Sequence, residues 1–280
     1  MIAALVANRE KRIALALLAP AVLLLVVLFV LPLLLLLPAS IRGADGSFTL
    51  AAYTRLLGES YYLGIIWNSL KFASLTTLFA FLIGYPAAFG LLYARGWLRS
   101  LLLICLFLPL SVGVIVKAFA WTVLLRRDGL VNSALQLLGI IDEPVRLIFT
   151  EPALIIGAVN IFLPFMILPV YAVVAQIDSR LGEAAATLGA PPLTAFLRVV
   201  FPLSLPGIIA GTALVFALAV SAYVVPTLLM GERYQTLPTL IAKAFLLARD
   251  PAFGAVAGMA LLVIALSVVL LSARLNRSAP

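Results

Sequence analysis

Long and nearly uninterrupted apolar runs dominate the sequence. Six stretches are each long enough to cross a bilayer as a helix, since a hydrocarbon core of about 30 Å needs about 20 apolar residues. They are residues 13–37, 69–93, 101–125, 153–175, 205–229 and 253–273. Membrane-spanning strands would instead alternate in polarity over short segments. The runs therefore predict an all-α, multi-pass membrane protein with six transmembrane helices.

The first apolar run follows a basic segment, as a secretory signal would. Arg9, Lys11 and Arg12 precede it. A signal peptide has an apolar region of about 7–15 residues, whereas this run has about 25, which indicates a retained signal-anchor helix. We accordingly assign residues 1–67 to the anchor and the first outer loop. Residues 68–280 are assigned to a core with five more spans, within a single transmembrane domain overall.

The composition offers few residues of the types that form catalytic sites. Hydrophobic residues make up 65% of the chain and charged residues 11%, and there is no histidine and one cysteine. Histidine is the commonest metal ligand and general base near neutral pH, so neither a metal site nor acid–base catalysis is expected. The sequence also lacks the G-x-x-x-x-G-K-[ST] pattern that binds nucleotide phosphates. We expect a chain that is not an enzyme, binds no cofactor, and depends on a partner for any ATP hydrolysis.

The distribution of lysine and arginine bears on orientation in the membrane. With a cytoplasmic N-terminus, the inner segments are 1–12, 94–100, 176–204 and 274–280, and the outer ones are 38–71, 126–152 and 230–252. Each set holds nine basic residues, but the inner segments are shorter and the charges before the first span are close to it. Because basic residues near span ends favour the cytoplasmic side, both termini are predicted to be cytoplasmic.

The longest predicted inner connection, residues 176–204, has the pattern of two short helices with a break between them. Asp178 or Ser179 can cap the first helix by accepting a backbone N–H. Gly189 suits the position just after that helix, where positive φ is common. A proline of the pair at 191–192 suits the first turn of the second helix.

A motif in this connection resembles that of a known family. Glu183, Ala184 and Ala185 are followed by Gly189 and, further on, by a Pro-Gly pair at 206–207. This arrangement resembles the EAA motif of permease subunits in binding-protein-dependent ABC importers. The other interpretation of the connection is an amphipathic interfacial hairpin that merely joins two spans.

The resemblance implies that the 176–204 loop docks on an ATP-hydrolysing subunit. Ala184 and Ala185 would allow close approach of helices, and Glu183 would supply a charged hydrogen bond to the partner. The second helix presents apolar side chains at a spacing of three to four residues, which would act as anchors: Leu193, Phe196 and Leu197. The family's fold is the type I importer permease fold.

Several segments are similar to one branch of this family, the spermidine/putrescine-type permeases. They include residues 68–70, 129–133 and 160–171, and the likeness covers about Asn68 to Ala273. It implies two ATPase subunits, a second, distinct homologous permease, a periplasmic solute-binding protein and a bacterial inner membrane. The basic residues lie between apolar runs, so we expect them to face membrane lipid and not nucleic acid. Permeases for iron, thiamine or phosphonate share much of this pattern, so the substrate stays open.

Polar groups inside spans are candidates for the translocation pathway, because they are costly in lipid and usually face protein or water. Asn160, Ser221, Tyr223 and Lys117 are the candidates, although interhelical hydrogen bonds explain each of them as well. A cavity-lining Lys117 would disfavour a polycation. Among the aromatic residues, Trp121 is expected to be an anchor at the membrane interface.

Two rival functions remain. An ion-coupled secondary carrier would show repeated halves and intramembrane acids, and neither is evident in the sequence. A membrane-embedded enzyme would need acid–base groups that the spans do not offer.

Overall fold

The computed structural model describes residues 16–42, 47–178 and 180–278. Within them the chain is helical, and these ranges contain no β-strand beyond an isolated antiparallel bridge between Arg42 and Phe48. The helices are α1 Ala16–Ser40, α2 Ala51–Gly58, α3 Ser60–Tyr93, α4 Gly96–Ser111, α5 Val114–Leu124, α6 Leu130–Leu137, α7 Glu151–Val174, α8 Arg180–Thr187, α9 Pro192–Val220, α10 Val224–Met230, α11 Leu237–Leu246 and α12 Pro251–Ser278. The all-α prediction is confirmed.

Five of these helices are long and apolar enough to cross a membrane, namely α1, α3, α7, α9 and α12. Helices α4 and α5 make up a sixth span if they are counted as one, but they are bent by 106° relative to each other. The expectation of a continuous helix over residues 101–125 is therefore wrong. Val112 is extended between the two helices and Gly113 follows it. Because glycine is a poor helix former, it permits a break that a uniform apolar pattern conceals.

The fifth predicted span is also interrupted. Helix α9 begins at Pro192, earlier than expected, and ends at Val220, after which Ser221–Tyr223 separate it from α10. The Ser221 Oγ donates to the Ala217 carbonyl at 2.7 Å. Such local side-chain bonds compete with regular helix hydrogen bonds, and the helix ends beside this serine, in the middle of an apolar run.

The chain divides into two compact units by its internal contacts. One contains the described residues up to Glu59 together with Ile241–Met259, and the other contains Ser60–Leu240 and the residues from Ala260 onward. The division predicted from the sequence, an anchor over 1–67 and a core over 68–280, stays a prediction.

In the first unit, Arg55 joins α2 to the start of α12. Its guanidinium lies 3.6 Å from the Asp250 carboxylate and 4.6 Å from the centre of the Phe253 ring. The C-terminal end of α1 is joined to α2 by a hydrogen bond between the Ser40 and Tyr53 hydroxyls.

The second unit is built around α7, which packs against both α3 and α9. Small residues allow this close approach. A Cβ added at Gly207 would lie 2.9 Å from the Pro169 carbonyl oxygen and 3.0 Å from the Val170 Cα. One turn further along α9, Gly211 faces the fully buried Met166. The two glycines form a G-x-x-x-G face on α9 that brings its backbone against α7.

Candidate coupling segment and translocation groove

Helix α8 carries the motif residues and has a defined start. The Asp178 Oδ1 accepts the Arg180 backbone N–H at 2.9 Å, which confirms Asp178 as a capping residue. Ser179, the other candidate cap, lies outside the described residues. Carboxylate caps satisfy one of the free N–H groups at a helix start and favour the positive end of the helix dipole.

The end of α8 is defined by Gly189, which has φ +80°. Around it, the Ala190 N–H donates to the Ala185 carbonyl at 3.1 Å and the Leu188 N–H to the Ala184 carbonyl at 3.3 Å. The bond across five residues is typical of a helix that ends at a left-handed glycine. The prediction of a glycine just after the helix is confirmed. The caps at both ends hold α8 as a short, defined element.

The motif residues differ in how accessible they are. The backbone of Glu183 lies in α8, but its side chain lies outside the described part of the structure. Ala184 is exposed and Ala185 half-buried. In the first turns of α9, Leu193 and Leu197 are 69% and 53% exposed. Apolar side chains exposed beside a motif of this kind are suited to a protein partner, and their role in coupling stays a prediction.

Phe196 instead packs within its own chain. Its ring lies 5.8 Å from that of Phe89 and 6.3 Å from that of Tyr85, between ring centres, in edge-to-face geometry. The Tyr85 hydroxyl is 3.0 Å from the Ser204 Oγ. The backbone at Phe196–Val200 forms a π-helical turn, a feature found frequently at functional sites. An aromatic cluster thus connects the start of α9 to α3.

An open groove of about 610 Å³ lies between α3, α5 and α7. Its walls are largely apolar side chains, such as Phe79 on α3 and Ile156 on α7, and its polar lining includes Glu151 and Asn160. A mostly apolar concavity with a few convergent polar groups is the usual form of a small-molecule site. Asn160, a predicted pathway residue, lies in this groove.

The Trp121 side chain is held by a contact within the protein and not by the membrane interface alone. Its indole N–H donates to the Asn160 Oδ1 at 3.2 Å, and it lines the groove from α5. The interpretation of Trp121 as an interface anchor therefore missed its contact with α7. No spacing in the sequence pairs two residues that lie 39 positions apart.

Glu151 is a second group that sequence reasoning missed. The Lys71 Nζ lies 2.8 Å and 2.6 Å from its two carboxylate oxygens, joining α3 to the first residue of α7. Glu151 immediately precedes an apolar run, whereas the acids expected to matter for transport lie deep within spans. The Thr150-Glu151-Pro152 sequence was a usable signal, since an acid and a proline are enriched in the first turn of a helix.

The other predicted pathway residues lie elsewhere. Lys117 is on α5, and Ser221 and Tyr223 are at the break before α10, which packs against α5. The described residues that line the groove include none of these three. Ser221 is engaged with its own helix, and Tyr223 is 45% exposed. Their part in translocation stays a prediction.

A polar cluster joins the segment before α11 to the N-terminal part of α3. The Tyr234 hydroxyl donates to the Asn68 carbonyl at 3.1 Å, and the Leu237 N–H donates to the Ser69 Oγ at 2.7 Å. Burial, with a smaller contribution from the negative charge of Glu151, raises the pKa of Tyr234 to about 12. The phenol therefore remains a neutral donor at physiological pH.

The fold and the capped helix that carries the motif define a permease subunit of an ABC importer. The chain belongs to the family described as the binding-protein-dependent transport system inner membrane component, whose model matches residues 80–279. It is accordingly a multi-pass component of an inner membrane. It is a transport subunit rather than an enzyme, and ATP hydrolysis is carried out by a partner ATPase.

Individual relatives support the assignment to ABC importer permeases. The spermidine/putrescine transport system permease protein PotB of Haemophilus influenzae is 36% identical over 259 residues, covering 90% of each chain. Its namesake in Escherichia coli is 38% identical over 245 residues, covering 85% of this chain and 89% of that protein. The predicted similarity to this branch is confirmed.

Solved structures show the same fold. A bacterial ABC transporter involved in import of the acidic polysaccharide alginate matches with a TM-score of 0.80 at 19% identity, covering 96% of both chains. The inward facing MetNI methionine ABC transporter matches with a TM-score of 0.60 at 16% identity, covering 79% of this chain and 99% of that chain. The predicted type I importer fold is confirmed.

Proposed function

We propose that this chain forms half of the translocation pathway of an importer for linear polyamines of the spermidine and putrescine type. The observation that carries the proposal is the similarity to the spermidine/putrescine permeases along nine-tenths of both chains. The groove adds support, since its apolar walls suit methylene chains and its carboxylate suits an ammonium group. Lys117 does not line the groove, so its charge is no argument against a polycation there.

The partners of the proposed importer are two ATPase subunits, a second permease that is a distinct homologue, and a periplasmic binding protein. The exposed Leu193 and Leu197 would enter a groove on the ATPase, and Glu183 would add a charged contact. Closure of the ATPase pair around ATP would favour one of two conformations of the permease pair, which shifts the equilibrium between inward and outward access.

We also propose that both termini are cytoplasmic, as the basic residues near the span ends predict. Contacts in the second unit support the predicted grouping of segments on two sides of the membrane. Lys71–Glu151 and Tyr234–Asn68 bring together segments that we predicted to be outside. The Arg99 guanidinium donates to the Tyr171 hydroxyl at 3.2 Å, between segments close to the predicted inner side. Such contacts within each group of segments are expected if successive spans cross the membrane in opposite directions.

Reconstitution with the partner subunits tests the function. The complete importer, with its ATPase and binding protein, is placed in liposomes, and uptake of radiolabelled spermidine, putrescine, thiamine, ferric iron and a phosphonate is compared. We expect ATP-dependent uptake of the two polyamines and little of the other solutes. Uptake of a non-amine solute with no uptake of polyamines would overturn the proposal.

A further inference from the structure

We propose that Glu151 is the carboxylate that binds an ammonium group of the substrate, and that Lys71 occupies this carboxylate until the substrate replaces it. The inference rests on the proposed polyamine function and names the residues that would select for a cation within the groove. It concerns a contact that no motif of the sequence assigns.

The first step is the chemistry of the Lys71–Glu151 pair. The lysine ammonium contacts both carboxylate oxygens, at 2.8 Å and 2.6 Å. A primary ammonium on a methylene chain is the same chemical group that ends a polyamine. The lysine therefore shows that the carboxylate, in this position, accepts such a group with good geometry.

The second step is accessibility. The side chains of Lys71 and Glu151 are 36% and 44% exposed, and Glu151 lines the groove whereas Lys71 does not. Exposed ion pairs contribute little to stability. Because separating this pair costs little free energy, a second ammonium that arrives through the groove can replace the lysine.

The third step is the environment of the carboxylate. Glu151 lies in the first turn of α7, where the positive end of the helix dipole favours negative charge. Beside it, the phenol of Tyr234 is held neutral by burial and by the carboxylate itself. The helix N-terminus therefore favours a carboxylate at this position, whichever ammonium is its partner.

The fourth step is the match to a linear substrate. Glu151 and Asn160 are nine residues apart on α7, which is about 13 Å along a helix, and apolar side chains line the groove between them. The Asn160 Oδ1 accepts one bond, from Trp121, and an amide oxygen has a second lone pair. The face of Trp121 can also attract a cation. A polyamine could thus place one ammonium at each end with its methylene groups on the apolar wall.

A purely structural ion pair is the competing explanation, and it predicts a different outcome. If the pair only holds α3 against α7, removing either partner has the same effect on binding. If Lys71 competes with the substrate for Glu151, the two substitutions act in opposite directions.

The test measures binding of radiolabelled spermidine to the complete permease–ATPase complex in lipid nanodiscs, without the soluble binding protein. We expect Glu151→Gln to weaken binding by about tenfold, which is the loss of one charge-assisted contact. We expect Lys71→Met to strengthen binding several-fold, because the carboxylate is then free, and Lys71→Arg to remain near the unmodified protein. Glu143→Gln, the same change elsewhere in the same outer segment, is the matched control.

Three results would overturn the inference: a change in the same direction for Glu151→Gln and Lys71→Met, no change in either, or an equal effect of Glu143→Gln. Chromatographic behaviour of each complex shows whether a variant is folded, and Lys71→Arg preserves the pair if Lys71→Met does not assemble. Failure of the proposed function looks different, since the unmodified complex would then neither bind spermidine nor import it with its binding protein.

Discussion

A single buried side chain, Asn132, organises the segment between α5 and α7. Its Nδ2 donates to the Arg126 carbonyl at 3.0 Å and to the Val145 carbonyl at 2.9 Å, and its Oδ1 accepts the Val145 N–H at 2.9 Å. The side chain is fully buried. One amide therefore satisfies three backbone groups that would otherwise lack these partners within a loop.

Asn132→Ala should destabilise the protein, because a buried polar group left without its partner costs about 1–3 kcal/mol. We expect a lower apparent Tm of the purified complex by thermal unfolding. Asn276→Ala, at an exposed position near the end of α12, is the control and should leave the Tm unchanged. Equal Tm values for the two variants would show that the loop does not depend on this amide.

Tyr234 gives the protein a sensitivity to alkaline pH. Its pKa is raised to about 12, above the ordinary value of about 10, so the folded state holds its proton more tightly than the unfolded state and stability falls as pH rises between these values. The Tm should therefore decrease from pH 9 to pH 11 more in the unmodified protein than in Tyr234→Phe. Tyr61→Phe, at an exposed tyrosine, should retain the full decrease.

At the scale of elements, the contact between α7 and α9 depends on the missing side chain of Gly207. A Cβ there would meet backbone atoms of α7, which cannot move aside as a flexible side chain can. At Gly90 on α3, by contrast, a Cβ would meet no atom within 4 Å. The same substitution at these two helical glycines therefore has different consequences.

Gly207→Ala should destabilise the protein by about 1–3 kcal/mol, the usual cost of inserting a methyl group into a packed contact. Gly90→Ala should be neutral or stabilising by up to about 1 kcal/mol, because alanine is the better helix former. Thermal unfolding of both variants in the same detergent measures the difference. A stable Gly207→Ala variant would mean that α7 and α9 separate more easily than their contact indicates.

Helix α8, which carries the motif residues, ends at Gly189. An L-residue at positive φ costs about 1–2 kcal/mol, and Gly189 has φ +80° with open space around it. We expect Gly189→Asp to insert into the membrane normally but to lose ATP-dependent uptake, and the motif predicts the same for Glu183→Lys. Membrane fractionation and uptake assays check the two properties. Normal uptake in both variants would contradict the coupling role.

At the scale of the whole molecule, the chain requires partners. In the proposed importer it forms only half of the translocation pathway, and another subunit hydrolyses the ATP. The exposed leucines at the start of α9 should then determine whether the ATPase stays bound. Leu193 and Leu197 offer apolar area that interface anchors commonly bury in partner pockets.

The double variant Leu193→Asp/Leu197→Asp should lose the ATPase during purification in mild detergent while retaining the second permease. Leu137→Asp, at an 89% exposed position on α6, is the matched control and should retain both partners. Quantitative gel analysis of the purified complexes measures the ratio of subunits. Retention of the ATPase by the double variant would exclude these leucines as its contact.

The helical class, most of the spans and the capping of α8 could be predicted from the sequence. The sequence could not locate the break at Val112–Gly113 or the end of α9 at Val220, because a single glycine or serine in an apolar run is also common in continuous transmembrane helices. It also assigned Asn160 to the pathway but left its contacts open. The position of this amide in the groove required the structure.

What the sequence by itself determined is local. Apolar run lengths, a capping aspartate and a glycine at a helix end act over a few residues, so their consequences follow directly from spacing. The groove, the Trp121–Asn160 contact and the Lys71–Glu151 pair join residues 39 and 80 positions apart. Only the packing of α3, α5 and α7 brings these groups together, because the distance between them depends on how the helices meet and not on their separation along the chain.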